Sequence, residues 1–274
     1  MSAETHTIAD IVDLDRHPIA DLESEGGRKT LEACRASMAS RGACRLEGFL
    51  RPEALDAMVN ESKRLFPQAF RHDEQFRVYV SEQMPEGLPA EDPRHAMARS
   101  AQACIAWDLF SAGSMLRRLY EWDGLTNFIR AALDKPALFR SADRINACSI
   151  SFTETGGELG WHFDSAEFSV TLQLQAPEEG GEFQFAPNVR SAKDENYETV
   201  SKILSGDPTG VICSKSPPGT LSIFRGHHSL HRVTPVIGET PRITAILTYA
   251  DQPGFTGKSY SHKVFFGRNE PLAG

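Results

Sequence analysis

Residues 160–185 read GWHFDSAEFSVTLQLQAPEEGGEFQF. The run is β-prone, is broken by a Gly-Gly turn, and holds a histidine and a carboxylate one residue apart. Side chains at i and i+2 of a strand share a face, so this reading projects His162 and Asp164 together toward the inside of a sheet. An imidazole beside a carboxylate is either a hydrogen-bonded pair or two thirds of a metal site. The same alternation sends Trp161 and Phe163 the other way, to pack against an outer layer.

Working outward, the chain keeps this texture from Arg144 on. INACSISFT (145–153), EFSVTLQLQA (167–176), GEFQFAP (181–187), GTLSIF (219–224), HRVTPV (231–236) and RITAILTYA (242–250) are short β-prone runs. They are separated by the turn-rich TGGELG, EEGG, SPPG and IGETP. Short strands at regular spacing predict a barrel or sandwich. The polar segment 191–208 interrupts them as a partly helical insert. Residues 1–143 read mainly as helices: RPEALDAMVNESKRLF (51–66) starts on a proline and shows an apolar stripe, and 111–133 is a second helical stretch. SEQMPEGLPAEDPRH (81–95) is a loop. No linker stands out, so residues 1–274 are expected to form one domain, mainly β with N-terminal helices. Residues 144–274 supply its barrel core.

Composition narrows the classes. The chain of 274 residues is 40% apolar and 24% charged, with a formal net charge of -8, an ordinary soluble profile. No basic block offers a nucleic-acid surface, and no apolar run nears the length of a membrane span. The N-terminus lacks a signal-peptide pattern, so a cytoplasmic location is expected. Five scattered cysteines, without a CxxC, argue against a disulfide framework and a cysteine zinc site.

A third ligand for His162 and Asp164 has to come from another strand. RGHHSLHRVTPV (225–236) holds three of the nine histidines. His231 opens a β-prone run after a turn, while His227 and His228 read as a solvated turn. His6, His17, His72, His95 and His262 have no partner in the sequence. Two histidines and one carboxylate on one facet suit Fe(II) with open coordination positions, whereas structural zinc prefers four ligands. On the following strand Arg242 and Thr244 share a face. A guanidinium offers a carboxylate two parallel donors, and a hydroxyl beside it adds a third. A dicarboxylic cosubstrate would fit there.

WHFD (161–164), LHRVTPV (230–236) and the arginine eleven residues beyond His231 resemble the Fe(II)/2-oxoglutarate-dependent dioxygenases. GGEFQF (180–185) and PGTLSIFRG (218–226) resemble their prolyl-hydroxylase-like branch, and GACRLEGFLRPEAL (42–55) resembles its opening. The fuller pattern looks nearest to a bacterial group related to free-amino-acid hydroxylases and halogenases. The resemblance implies a double-stranded β-helix (jelly-roll) core. It also implies Fe(II) on His162, Asp164 and His231, with 2-oxoglutarate held by Arg242 and Thr244. O2 would be consumed, succinate and CO2 released, and a C–H bond of a small molecule hydroxylated. In the related halogenases glycine or alanine replaces the carboxylate ligand; Asp164 therefore implies hydroxylation.

Other roles follow from the same picture. Asn146 is an amide donor to the cosubstrate, or satisfies a backbone group. Arg99 binds a substrate carboxylate, or is an exposed helix arginine. The loop 84–94 and the insert 191–208 are long enough for lids, or are plain surface loops. Competing functions are a protein side-chain (prolyl-type) hydroxylase, a desaturase or cyclase, and a non-catalytic jelly-roll binder. Oligomeric state is not expressed in the sequence.

Overall fold

The computed structural model describes residues 6–79 and 86–272. Helix α1 (Ile8–Ile11) precedes α2 (Glu25–Arg41), which is capped by the Ser24 hydroxyl accepting the Gly27 N–H and ends on left-handed Gly42. Strand β1 (Ala43–Leu46) follows, then α3 (Pro52–Leu65), whose first residue is the expected proline. The first half then departs from its helical expectation: β2 (Phe70–Arg77) and β3 (Met97–Ile105) pair along their whole length. β2 is mostly exposed with His72 buried, and β3 alternates only over residues 97–100 before becoming buried, a pattern that the polar content of RHDEQ hides in the sequence. The stretch 111–133 is two helices, α4 (Met115–Glu121) and α5 (Asp123–Ala132), because Trp122 between them is extended.

Strands β4 (Phe139–Arg140), β5 (Cys148–Thr153), β6 (Glu158–His162), β7 (Ser169–Gln175), β8 (Glu179–Gly180) and β9 (Phe183–Ala186) come next. The insert contains α6 (Tyr197–Leu204), as expected. Then come β10 (Ile212–Ser214), β11 (Thr220–Phe224), β12 (Leu230–Val233), β13 (Val236–Ile237), β14 (Arg242–Leu247), β15 (Tyr249–Ala250) and α7 (Ser259–Phe266). Eleven strands form one curled sheet in the order β1-β11-β7-β14-β5-β3-β6-β12-β9-β10, with β2 on β3. Every named pairing in it is antiparallel. This is the expected jelly-roll core, enlarged by three strands from the first half.

The apolar core lies outside the curl. Val170, Leu172, Leu221, Ile243, Ala245 and Phe152 turn outward onto Met58, Leu116, Leu119, Leu125 and Phe128 of the helices. Burial of this area drives the folding of that layer. The alternate residues Ser169, Thr171, Gln173, Ser149, Ser151 and Thr244 turn inward and line a cavity of about 1580 Å³. The curl thus holds a cavity in which these polar side chains stand beside aromatic ones such as Phe76, Phe183 and Phe224, instead of a second packed core.

Two expectations about single residues need correction. Cys34 and Cys44 form a disulfide, Cα–Cα 5.2 Å, because the chain reverses at Gly42 and lays β1 against α2. Several histidines also find partners that sequence could not show: His17 on Glu47 O at 2.9 Å, His72 on Ser100 Oγ at 2.8 Å, and His262 on Asp143 Oδ2 at 2.6 Å. Among the described residues, no helix is long and apolar enough to cross a membrane.

Candidate metal centre and cosubstrate pocket

His162 is the last residue of β6 and His231 the second of β12, and the antiparallel register makes them direct cross-strand partners. Their ring centroids are 4.0 Å apart. Asp164 departs from the strand expectation. It lies past the end of β6, in the turn to β7, and reaches the pair because the chain bends there. Its Oδ1 is 3.5 Å from Nε2 of both histidines. The three ligand atoms lie within 4.8 Å of one another, the one such cluster among the described residues. Donors on one facet of an octahedron with bonds of about 2.1 Å sit about 3 Å apart, so the two contacts of Asp164 at 3.5 Å would close by about 0.5 Å around an ion.

The donor set is in ligand form. His162 Nδ1 donates to Gly160 O at 2.8 Å, and His231 Nδ1 donates to Ser229 O at 2.9 Å. A carbonyl only accepts, so each ring carries a proton on Nδ1 and turns Nε2 inward as the atom that would meet a metal, as in metal sites whose outer partners set the tautomer. Burial pushes the His162 imidazole down, and His231 beside it adds to this. Burial alone would raise Asp164, yet His231 and His162, when protonated, hold it well below the usual carboxylate range; a bound metal ion takes the place of those protons. Two neutral imidazoles and one carboxylate are what a divalent iron requires.

Asp164 is held from three sides. Its N–H donates to Gly226 O at 3.1 Å, Ser169 Oγ donates to Oδ2 at 2.5 Å, and His227 Nδ1 donates to its carbonyl at 3.0 Å. A Cβ on Gly226 would lie 1.9 Å from Oδ2, so this position has to be glycine. His227 is therefore part of the ligand's support, not a solvated turn residue. Phe76, Phe183 and Phe224 wall the imidazoles, with ring centroids 5.6 Å from His162, and 5.7 and 4.8 Å from His231.

Arg242 and Thr244 share the inner face of β14 and line the same cavity as the triad. The guanidinium has no hydrogen-bond or ion-pair partner among the described residues, and burial pulls it down to about 10. It still has some accessible surface, and the cavity is what it borders. A charged, desolvated and unpaired guanidinium is costly; a carboxylate entering the cavity supplies the missing partner. Thr244 Oγ1 donates weakly to Gln173 Oε1 at 3.3 Å, and Gln173 is anchored by donating to Gln175 O at 2.6 Å. The Gly-Gly turn packs under this arginine: a Cβ on left-handed Gly181 would stand 3.3 Å from Arg242 Cδ and 2.7 Å from Pro177 Cγ.

The remaining expected residues fall elsewhere. Asn146 borders the cavity, but from the turn before β5 and not from a strand, with its N–H on Asp143 Oδ1. Arg99 is on β3, not on a helix, and does not line the cavity. It makes a bidentate pair with Asp73, both contacts 2.8 Å, and reaches Glu158 at 3.4 Å. Trp161 and Phe163 face away from the triad as expected, into a small cluster with Val200 and Ile203 of α6. Within that cluster Arg190 stacks on Phe163 at 4.0 Å, and Arg94 lies over Tyr197 at 4.5 Å. The candidate lids thus meet each other there. Met84 lies outside the described residues, and neither 86–94 nor 191–208 borders the cavity. Sequence reasoning missed Ser169, Gln173 and Gly226. For the first two the signal was present: SVTLQLQ alternates polar and apolar, so one face of β7 is polar.

Comparison with known proteins agrees with this geometry. The family model described as Halogenase D matches residues 27–265. No curated protein matches the chain in sequence. Among solved structures, a 2OG-Fe(II) oxygenase family protein from Burkholderia pseudomallei aligns at 17% identity and TM-score 0.50, covering 84% of this chain and 93% of that one. A Pseudomonas putida prolyl-4-hydroxylase aligns at 16% identity and TM-score 0.50, covering 80% and 98%. The non-heme alpha ketoglutarate dependent epimerase SnoN from nogalamycin biosynthesis aligns at 13% identity and TM-score 0.54, covering 90% and 91%. At identities this low the structural alignments show a shared fold alone. With the family model spanning most of the sequence, the chain belongs to the Halogenase D family and has the jelly-roll fold of the Fe(II)/2-oxoglutarate oxygenases.

Proposed function

We propose that this protein is a hydroxylase of a small molecule, such as a free amino acid or a natural-product intermediate, despite the name of its family. The carrying observation is Asp164: a carboxylate oxygen stands 3.5 Å from both imidazole Nε2 atoms, in the place that the related halogenases leave to a halide. Ser169 and Gly226 are shaped around that carboxylate.

In this reading His162, Asp164 and His231 hold Fe(II). Arg242 pairs with the distal carboxylate of 2-oxoglutarate, with Thr244 and Asn146 as neighbouring donors. Once bound, iron with 2-oxoglutarate and O2 supplies an oxidant strong enough to remove hydrogen from an unactivated C–H bond. The chain's own part is placement and shielding. Nδ1 protons fixed on backbone carbonyls keep both imidazoles aimed inward. The aromatic walls of Phe76, Phe183 and Phe224 exclude water beside the triad. A cavity of about 1580 Å³ exceeds a typical small-molecule pocket, which leaves room for cosubstrate and substrate together.

The test is anaerobic addition of Fe(II) and 2-oxoglutarate, followed by a screen of amino acids for substrate-stimulated succinate release with mass analysis of the product. A product heavier by one oxygen, produced equally with or without chloride, supports the reading. A chlorinated product from the wild-type protein would overturn it.

A further inference from the structure

The two oxygens of Asp164 are treated differently. Oδ1 faces both imidazoles at 3.5 Å, while Oδ2 accepts the Ser169 hydroxyl at 2.5 Å. Ser169 is the first residue of β7 and the cross-strand partner of Phe224, whose ring lies against His231. Its place is therefore set by the same sheet that places the ligands. The absent Cβ of Gly226 leaves room for Oδ2, since a Cβ there would lie 1.9 Å from it. The carboxylate thus has one oxygen toward the imidazoles and the other engaged by Ser169.

We infer that Ser169 is a positioning residue which keeps Asp164 monodentate. A carboxylate free on both oxygens binds a divalent metal through one or both. Three protein ligands leave three positions of an octahedron open. A chelating keto acid would take two of them and leave one for O2. Were Oδ2 to swing in, it would take one of these three. The Ser169 hydroxyl prevents this by engaging Oδ2 in a short, charge-assisted hydrogen bond. This inference rests on the proposed metal site.

The experiment uses Co(II) under argon as an iron substitute, with wild type, Ser169→Ala, Ser169→Thr and Ser169→Cys. The visible Co(II) spectrum reports coordination, a 2-oxoglutarate titration of the Co(II) protein gives its affinity, and thermal unfolding of metal-free protein controls for structure. Ser169→Ala is expected to change the Co(II) spectrum and, because the chelate then competes with Oδ2 for the open positions, to weaken 2-oxoglutarate by about 10- to 100-fold, the range that losing a ligand's outer partner costs in metal affinity or activity. Its metal-free unfolding midpoint should stay at the wild-type value. Ser169→Thr, which keeps the hydroxyl, should restore both, and Ser169→Cys, a weak donor, should not. Wild-type spectrum and affinity in Ser169→Ala, or failure of Ser169→Thr to rescue, overturns the role of the hydroxyl. If wild type itself binds neither Co(II) nor 2-oxoglutarate, the metal-site reading fails instead.

Discussion

Gly226 offers the sharpest perturbation of the site, because the clash its substitution creates has a single target. In Gly226→Ala the new Cβ would stand 1.9 Å from Asp164 Oδ2, 2.6 Å from Cγ and 3.0 Å from Cβ. Non-bonded carbon and oxygen need about 3 Å, so the carboxylate must retreat by about 1 Å or the 225–228 turn must open. Opening the turn costs the Asp164 N–H bond to Gly226 O and the His227 bond to the Asp164 carbonyl; moving the carboxylate takes Oδ1 off the facet. A misplacement of about 1 Å in a preorganised site costs on the order of 100-fold, or about 2.7 kcal/mol. The assay is anaerobic Co(II) titration against a competing chelator, run as a double-mutant cycle with Asp164→Gly. Gly226→Ala alone should lose about 100-fold in metal affinity. In the Asp164→Gly background it should cost almost nothing, since the clashing atoms are gone. Equal losses in both backgrounds would refute the reasoning.

Other outcomes are equally open to measurement. Arg242→Met should weaken 2-oxoglutarate by about 2–5 kcal/mol, the usual cost of truncating one side of a buried charge pair. It should not lower the unfolding midpoint of cosubstrate-free protein, because a cation without a partner is removed; calorimetry and an anaerobic absorption titration read both. Burial lowers His17 and His72, so the unfolded chain binds their protons first. Stability should be full above about pH 6.5 and fall by up to about 1.4 kcal/mol per pH unit for each below it; a pH series of denaturant midpoints that stays flat from 7.5 to 5.5 would contradict this. Arg99→Met removes an exposed ion pair with Asp73 and should cost no more than about 1 kcal/mol of stability. Substrate-stimulated turnover should persist; its loss would return Arg99 to the site.

The sequence alone brought forward the candidate residues, and the structure gathers His162, Asp164, His231, Arg242 and Thr244 around one cavity. Arg242 and Thr244 are legible as a pair because strand periodicity is a local property: an alternating run puts i and i+2 on one face whatever it pairs with. Asp164 instead lies past the end of β6 and reaches His162 through a bend. The turns around them, including the Gly-Gly before Phe183, are local in the same sense. The tertiary structure decided what depends on distant segments. β2 and β3 look polar in isolation and become strands only by pairing with each other and with β5 and β6. Arg99 is claimed by Asp73 across that pairing, and Cys34 meets Cys44 because α2 folds back on β1. The clamp on Asp164 joins Ser169 to Gly226, 57 positions further along the chain. A close approach between backbone and carboxylate leaves no periodic trace, so that pairing becomes visible only once the sheet has curled.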